Sequence, residues 1–115
     1  MVAQTLKTNL NVVKFQNGEQ LWFWFLHSKK VQNGFKIKSF SNQKYACELL
    51  DLEILITKLY LSGQISDEQL AVMKEFGDKQ RAPRQHVWNE NRKAAVWNSA
   101  MQTLESAARN KEWIE

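Results

Sequence analysis

Apolar residues recur at helical spacing along the last third of the chain. The members of this stripe lie three or four residues apart, and they are Ala94, Trp97, Met101, Leu104 and Ala108. That period brings side chains to one face of an α-helix. It predicts a long amphipathic helix that runs to about Lys111 and packs on another element. Two starts are open, because Pro83 suits a first helical turn and Asn89 suits a cap for a later start.

Two further helices are predicted upstream of this stripe. Residues 48–61 are apolar around most of a helical circumference, which indicates a central buried helix that stops at Gly63. The next helix begins with a capping box, in which Ser66 caps the first turn and Gln69 reaches back to it. Gly77 is expected to end that helix.

The pattern is less decisive in the first part of the chain. Asn17 suits the cap of a helix that would follow it. The six consecutive apolar residues at 21–26 have no clean period, so both a helix and a buried strand stay open. The dipeptide Asn33-Gly34 is typical of a tight hairpin turn. The sequence is therefore also compatible with a small β-hairpin near residues 29–40.

Taken together, these elements predict a mainly α-helical protein with one domain. We expect a bundle of four to five helices over residues 17–115, preceded by a flexible N-terminal arm over residues 1–16. The length of 115 residues suits a single modest core, and 43% hydrophobic with 24% charged residues is ordinary for a globular chain.

Motifs for catalysis, cofactors or metals do not occur in this sequence. Cys47 is the only cysteine, so no internal disulfide can form, and with His27 and His86 it gives no spacing typical of a zinc site. The longest apolar run, at 21–26, is far shorter than the roughly 20 residues that cross a bilayer. The N-terminus lacks the pattern of a signal peptide. We therefore expect a cytoplasmic, non-enzymatic protein with no cofactor, no metal and no membrane partner.

Charge is distributed unevenly along the chain. Residues 1–46 carry a net +6, residues 47–77 a net −4 and residues 78–115 a net +2, within a total of +4. Basic regions attract polyanions through a term that does not depend on nucleotide sequence. The two ends of the chain are therefore better candidates for a nucleic-acid surface than the middle.

The stretch KQRAPRQHVWNENRK at 79–93 concentrates this basic character. Its order after two helices and before a third is compatible with a tri-helical helix-turn-helix unit, whose third helix enters a DNA groove. The helix near 67–76 is rejected as the groove-binding one, because its leading acids would repel phosphate. The predicted contacts to DNA, either to base edges or to the backbone, are Lys79, Arg81, Arg84, Gln85, Asn89, Arg92 and Lys93.

The sequence thus predicts a small regulatory protein that binds nucleic acid, with DNA preferred over RNA. The alternative is an adaptor that binds another protein, or a second copy of itself, through exposed aromatic side chains. The aromatic run at 22–25 and Trp88 are the candidates for that surface.

Three sequence features resemble a group of small bacterial proteins of undefined activity. They are GEQLWFWF at 18–25, CE at 47–48 followed by LITKLY at 55–60, and the pair Trp97 and Leu104. The group has GEALWFWF, PCEP and a terminal helix closing on Lys-Gly-Ile-Val. This chain lacks the prolines around Cys47 and has Lys111-Glu112-Trp113-Ile114 in place of that tail. The resemblance covers most of residues 18–113 and implies a shared family without implying an activity.

Overall fold

The computed structural model describes residues 15–32 and 49–114, and these are mainly helical as predicted. The elements in these ranges are α1 (Gly18–Gln32), α2 (Leu49–Leu61), α3 (Asp67–Asp78), a 3₁₀ turn (Trp88–Glu90) and α4 (Asn91–Asn110). Within the same ranges, extended pairing is limited to an isolated parallel bridge between Phe15 and Ile114. Four helices form a small bundle.

Helix α1 occupies the centre of the bundle and resolves the ambiguity at residues 21–26 in favour of a helix. Asn17 Oδ1 accepts a hydrogen bond from the backbone N–H of Gln20 at 2.9 Å, so the predicted cap is present. Trp22 is buried and donates from Nε1 to Met73 O at 3.1 Å. Helix α1 packs against α2, α3 and α4, and this arrangement buries aromatic side chains in several directions.

Helix α4 carries the predicted apolar stripe, and every member of the stripe is buried. It packs on α1 and α3. The start predicted at Pro83 is wrong, because the helix begins at Asn91 after the 3₁₀ turn. Glu90, rather than Asn89, occupies the N-cap position, and its side chain makes no capping hydrogen bond.

Helix α2 is not the central helix that its composition suggested. Its buried residues are Leu52, Leu55, Ile56 and Leu59. On the opposite side, Leu50, Ile54 and Leu61 are exposed. Helix α2 packs mainly on α1, whereas α3 and α4 pack on each other, so the three helices do not form the close mutual contacts of a tri-helical unit. Apolar composition alone does not reveal which face of a helix is covered.

Helix α3 has the predicted capping box, with Ser66 and Gln69 exchanging hydrogen bonds of 2.8 and 3.1 Å. The prediction that Gly77 ends this helix is wrong, because the helix continues to Asp78. A Cβ atom at Gly77 would lie 1.8 Å from Leu26 Cδ1, so the glycine serves the close approach of α1. Gln80 takes the left-handed conformation that terminates the helix, with a φ of 56°.

The two residues described before Asn17 also contact the bundle. Phe15 is almost completely buried and packs on Trp24 with ring centroids 5.4 Å apart, while Gln16 O accepts a hydrogen bond from Arg109. The other residues of the predicted arm, 1–14, lie outside the described part. Of the predicted hairpin, residues 29–32 lie in α1 and residues 33–40 are outside the described ranges, as is Cys47.

Candidate interaction surface

The segment from Lys79 to Lys93 connects α3 to the first turn of α4. Its first turn is a Schellman motif, in which Arg81 N donates to Phe76 O at 3.1 Å and Gln80 N donates to Gly77 O at 2.9 Å. The chain then continues without helix or strand as far as the 3₁₀ turn. The site is therefore a fixed connection followed by a helix start, rather than a long helix with basic first turns.

Glu90 holds this connection in place through hydrogen bonds from two of its other residues. Its side chain is only 12% exposed and accepts from Arg81 Nη2 at 2.9 Å and from Arg81 Nη1 at 3.4 Å. The backbone N–H of Arg84 also donates to Glu90 Oε2, at 2.6 Å. The Arg81 hydrogen bond, followed by that of the Arg84 backbone, lowers the pKa of Glu90 to about 2. One carboxylate thus ties together both ends of the loop.

Glu75 binds two more of the predicted DNA contacts. Lys93 Nζ lies 3.1 Å and Lys79 Nζ 3.3 Å from Glu75 Oε2. The hydrogen bond from Lys93 is the main cause that lowers the pKa of Glu75. The same two ammonium groups also approach the ring of buried Phe76, with Lys79 at 4.8 Å and Lys93 at 5.8 Å from its centroid.

The seven predicted contact residues therefore separate into two groups. Lys79, Arg81 and Lys93 bind carboxylates of the same chain and contribute to holding the segment on the bundle. The outward group consists of Arg84, Gln85, Asn89 and Arg92, all of which are exposed. Arg92 lies 3.5 Å from Glu68 in a pair whose arginine side chain is 85% exposed. Such an exposed pair opens easily, because its net stabilisation in water is small.

Trp88 is the most exposed large apolar side chain of this surface. It lies in the 3₁₀ turn two residues before Glu90, and 88% of it is accessible. A tryptophan with this exposure gains nothing from the hydrophobic core, and burial is its usual state. The sequence predicted a role for Trp88 only in the alternative function, as a contact to a protein partner. We call Arg84, Gln85, Trp88, Asn89 and Arg92 the Trp88 surface.

The aromatic run at 22–25, which was the other candidate for a protein-binding surface, does not form an exposed patch. Trp22, Trp24 and Phe25 are buried in the core of the bundle. Phe23 is half-buried and packs on Trp97 with ring centroids 6.2 Å apart. The aromatic run at 22–25 is thus used for packing α1 against its neighbours.

Within residues 15–32 and 49–114, no three or more histidine, cysteine, aspartate or glutamate side chains cluster in a way suited to a metal ion. No helix in the described ranges is long and apolar enough to cross a membrane. The chain matches no protein-family model, no curated protein sequence and no solved structure. The geometry of the Trp88 surface therefore carries the functional proposal.

Proposed function

We propose that this protein is a non-catalytic adaptor that anchors a partner protein through Trp88. The observation that carries the proposal is an 88% exposed tryptophan on a turn that the partly buried Arg81–Glu90 ion pair holds in place. Tryptophan and arginine are the residue types enriched among the few side chains that supply most of the energy of an interface. Both occur in the Trp88 surface.

A buried Trp88 would supply as much energy as a strong anchor residue of an interface. A tryptophan side chain buries on the order of 150–250 Å², and at roughly 25 cal/mol per Å² this stabilises a complex by about 4–6 kcal/mol before the costs of association. The bonds from Glu90 to Arg81 and to the Arg84 backbone fix the turn before binding. Ordering this surface on binding then costs little conformational entropy.

The charges around Trp88 indicate the chemistry of the partner. Arg84 is exposed and makes no ion pair within the described residues, and Arg92 pairs only loosely with Glu68. A protein with an apolar pocket for an indole and carboxylates at its rim would complement both features. The rim charges would contribute more to the association rate than to the affinity.

The proposal is tested by quantitative capture from the source organism. Tagged wild type, Trp88→Ala and Trp88→Phe are expressed at equal levels, and the retained proteins are compared by mass spectrometry after nuclease treatment. Asn98→Ala is the matched control, because Asn98 is exposed on α4 away from the Trp88 surface in sequence. We expect one partner protein to be retained by wild type. The amount retained should fall at least tenfold with Trp88→Ala and should not change with Asn98→Ala. Equal retention by Trp88→Ala and wild type would contradict the proposal.

Nucleic-acid binding is the second candidate. It is favoured by the exposure of Arg84 and Arg92, which lie four residues on either side of Trp88 in the sequence. Bases stack on exposed aromatic rings, arginines contact phosphates, and Gln85 and Asn89 are of the types that read base edges. This candidate ranks second because three of the five cations of the segment are already paired with the carboxylates of Glu75 and Glu90. Fewer free cations mean a weaker attraction to phosphate.

Fluorescence anisotropy with random single-stranded and duplex DNA separates the two candidates. Nucleic-acid binding would weaken steeply between low and moderate salt, whereas an interface centred on an indole would respond little. The double variant Arg84→Glu with Arg92→Glu should abolish DNA binding while leaving the thermal midpoint nearly unchanged. Absence of any anisotropy change at low salt would exclude this candidate.

A further inference from the structure

Helix α2 presents an apolar stripe to the outside of the bundle. Leu50, Ile54 and Leu61 are 63%, 44% and 75% exposed, and exposed Thr57 continues the same face. These positions lie four, three and four residues apart, so they share one side of the helix. The buried leucines and isoleucine of α2 lie on the opposite side and pack the bundle. Within the described residues, the outer stripe therefore takes no part in the core.

The stripe is self-complementary when two copies of α2 lie antiparallel. With the two-fold axis between residues 55 and 56, Leu50 faces Leu61 of the second copy, and Ile54 faces Thr57 of the second copy. Both ends of such a contact are leucine pairs, and its middle is filled by a branched apolar side chain against a methyl group. An isologous contact of this kind is the common way in which identical chains associate.

Charge at the edge of the stripe selects the antiparallel arrangement. Asp51 and Lys58 line one groove beside Ile54, which places them on the same flank of α2. Within the described residues neither of them makes an ion pair. An antiparallel two-fold contact brings each flank against the same flank of the other copy, so Asp51 meets Lys58 of the second copy twice. A parallel contact would instead bring Asp51 toward Glu53 of the second copy, which already pairs with Lys29 at 2.6 Å, so no new pair of opposite charges would form.

We propose that this chain forms an antiparallel homodimer through the outer face of α2, with Leu50, Ile54 and Leu61 as its apolar centre. Two Asp51–Lys58 pairs between the copies fix its direction. The dimer is independent of the Trp88 surface, which lies on the connection to α4, and it would present that surface twice. Two linked copies bind a partner with two sites more tightly than either copy alone.

Sedimentation equilibrium over a range of concentrations tests the dimer with a charge exchange. Asp51→Lys and Lys58→Asp each replace two attractive pairs by two repulsive ones, and each should weaken self-association about tenfold. An equimolar mixture of the two variants restores opposite charges at both pairs and should associate like wild type. The double variant Asp51→Lys with Lys58→Asp should also recover. Lys74→Asp, which makes the same charge change on an exposed position of α3, is the control.

Leu61→Lys provides a second test that does not depend on the ion pairs. Because Leu61 is 75% exposed, its replacement should leave the thermal midpoint almost unchanged while abolishing the dimer. Three results would each overturn the proposal. They are a monomeric wild type up to the millimolar range, single charge variants that associate as wild type does, and a mixture that associates no better than its components.

Discussion

Arg81 and Glu90 form a bidentate ion pair, with Arg81 Nη2 2.9 Å from Glu90 Oε1 and Nη1 3.4 Å from Oε2. Planar guanidinium and carboxylate groups match each other in this geometry, which makes such pairs stronger than single contacts. The pair joins the end of α3 to the start of α4 across nine residues. It explains why Trp88, which lies between the two, projects from a defined turn.

The first prediction concerns the pH dependence of stability. The pKa of Glu90 is about 2 in the folded chain, against an ordinary value of 4.5. A lowered folded pKa contributes stability that is present above pH 4.5 and is lost as the pH falls toward 2. Glu90→Gln carries no such charge, so it should be less stable at pH 7 and should lose less stability between pH 4.5 and 2. Urea unfolding at pH 7, 4.5, 3 and 2 measures both effects.

A control for this experiment is Glu112→Gln. It removes an exposed carboxylate that makes no ion pair within the described part of the chain. This variant should follow the wild-type curve closely. If Glu90→Gln and wild type lost stability in parallel between pH 4.5 and 2, the stabilising role of the Glu90 carboxylate would be refuted.

The second prediction uses the left-handed residue that ends α3. Gln80 has a φ of 56°, a conformation that side chains with a Cβ disfavour and glycine accepts. Gln80→Gly should therefore raise the free energy of unfolding by about 0.5–1 kcal/mol, as measured by chemical denaturation. Gln80→Ala keeps the strain and should show no gain. A loss of stability in Gln80→Gly would mean that the glutamine side chain compensates for its backbone.

The same reasoning applies at the end of α4, where Glu112 has a φ of 63°. Trp113 N donates to Ala108 O and Glu112 N donates to Arg109 O, both at 2.9 Å, which is again a Schellman motif. Glu112→Gly should stabilise the chain by a similar amount, and its effect should add to that of Gln80→Gly because the two sites are independent.

The third prediction concerns the approach of α1 to α4 at Gly18. A Cβ atom there would lie 2.4 Å from Met101 O and 2.9 Å from Glu105 N, both backbone atoms of α4. Side-chain rotation cannot relieve this clash, so Gly18→Ala should destabilise the chain by about 1–3 kcal/mol.

Gly77→Ala is the comparison for this variant. Its clashes are with side chains rather than with backbone, namely the movable end of half-buried Leu26 and Trp22 Nε1 at 2.8 Å, and alanine favours the helix. Thermal unfolding of the two variants should show the larger decrease for Gly18→Ala. Equal midpoints for Gly18→Ala and wild type would show that α1 shifts freely along α4.

Local patterns in the sequence predicted the helices well. They did not predict the contacts between segments that are distant in the sequence. The capping box at Ser66 and the stripe on α4 depend on neighbours three or four residues away, and both are present. Gly77 was misread because the side chain that needs its space, Leu26, comes from another helix. The exposure of Leu61 was missed because an apolar pattern does not show which faces have partners.

The predicted basic site illustrates the same limit for charge. Counting charges by segment gave five cations at 79–93, but Lys93 pairs with Glu75, eighteen residues earlier. A signal for the internal pairing was present, since Glu90 is the only acid within that segment. A single carboxylate among arginines can be expected to form an ion pair within the chain. Such a pair leaves fewer arginines free to bind phosphate.

The most direct test of the Trp88 surface combines stability and binding in one pair of variants. Trp88→Ala should unfold within about 0.5 kcal/mol of wild type, because an exposed side chain contributes little to the core. The same variant should capture at least tenfold less of the partner than wild type does after nuclease treatment. Trp88→Phe should still capture a measurable amount. A Trp88→Ala chain that is folded and retains the same partners as wild type would contradict the central claim.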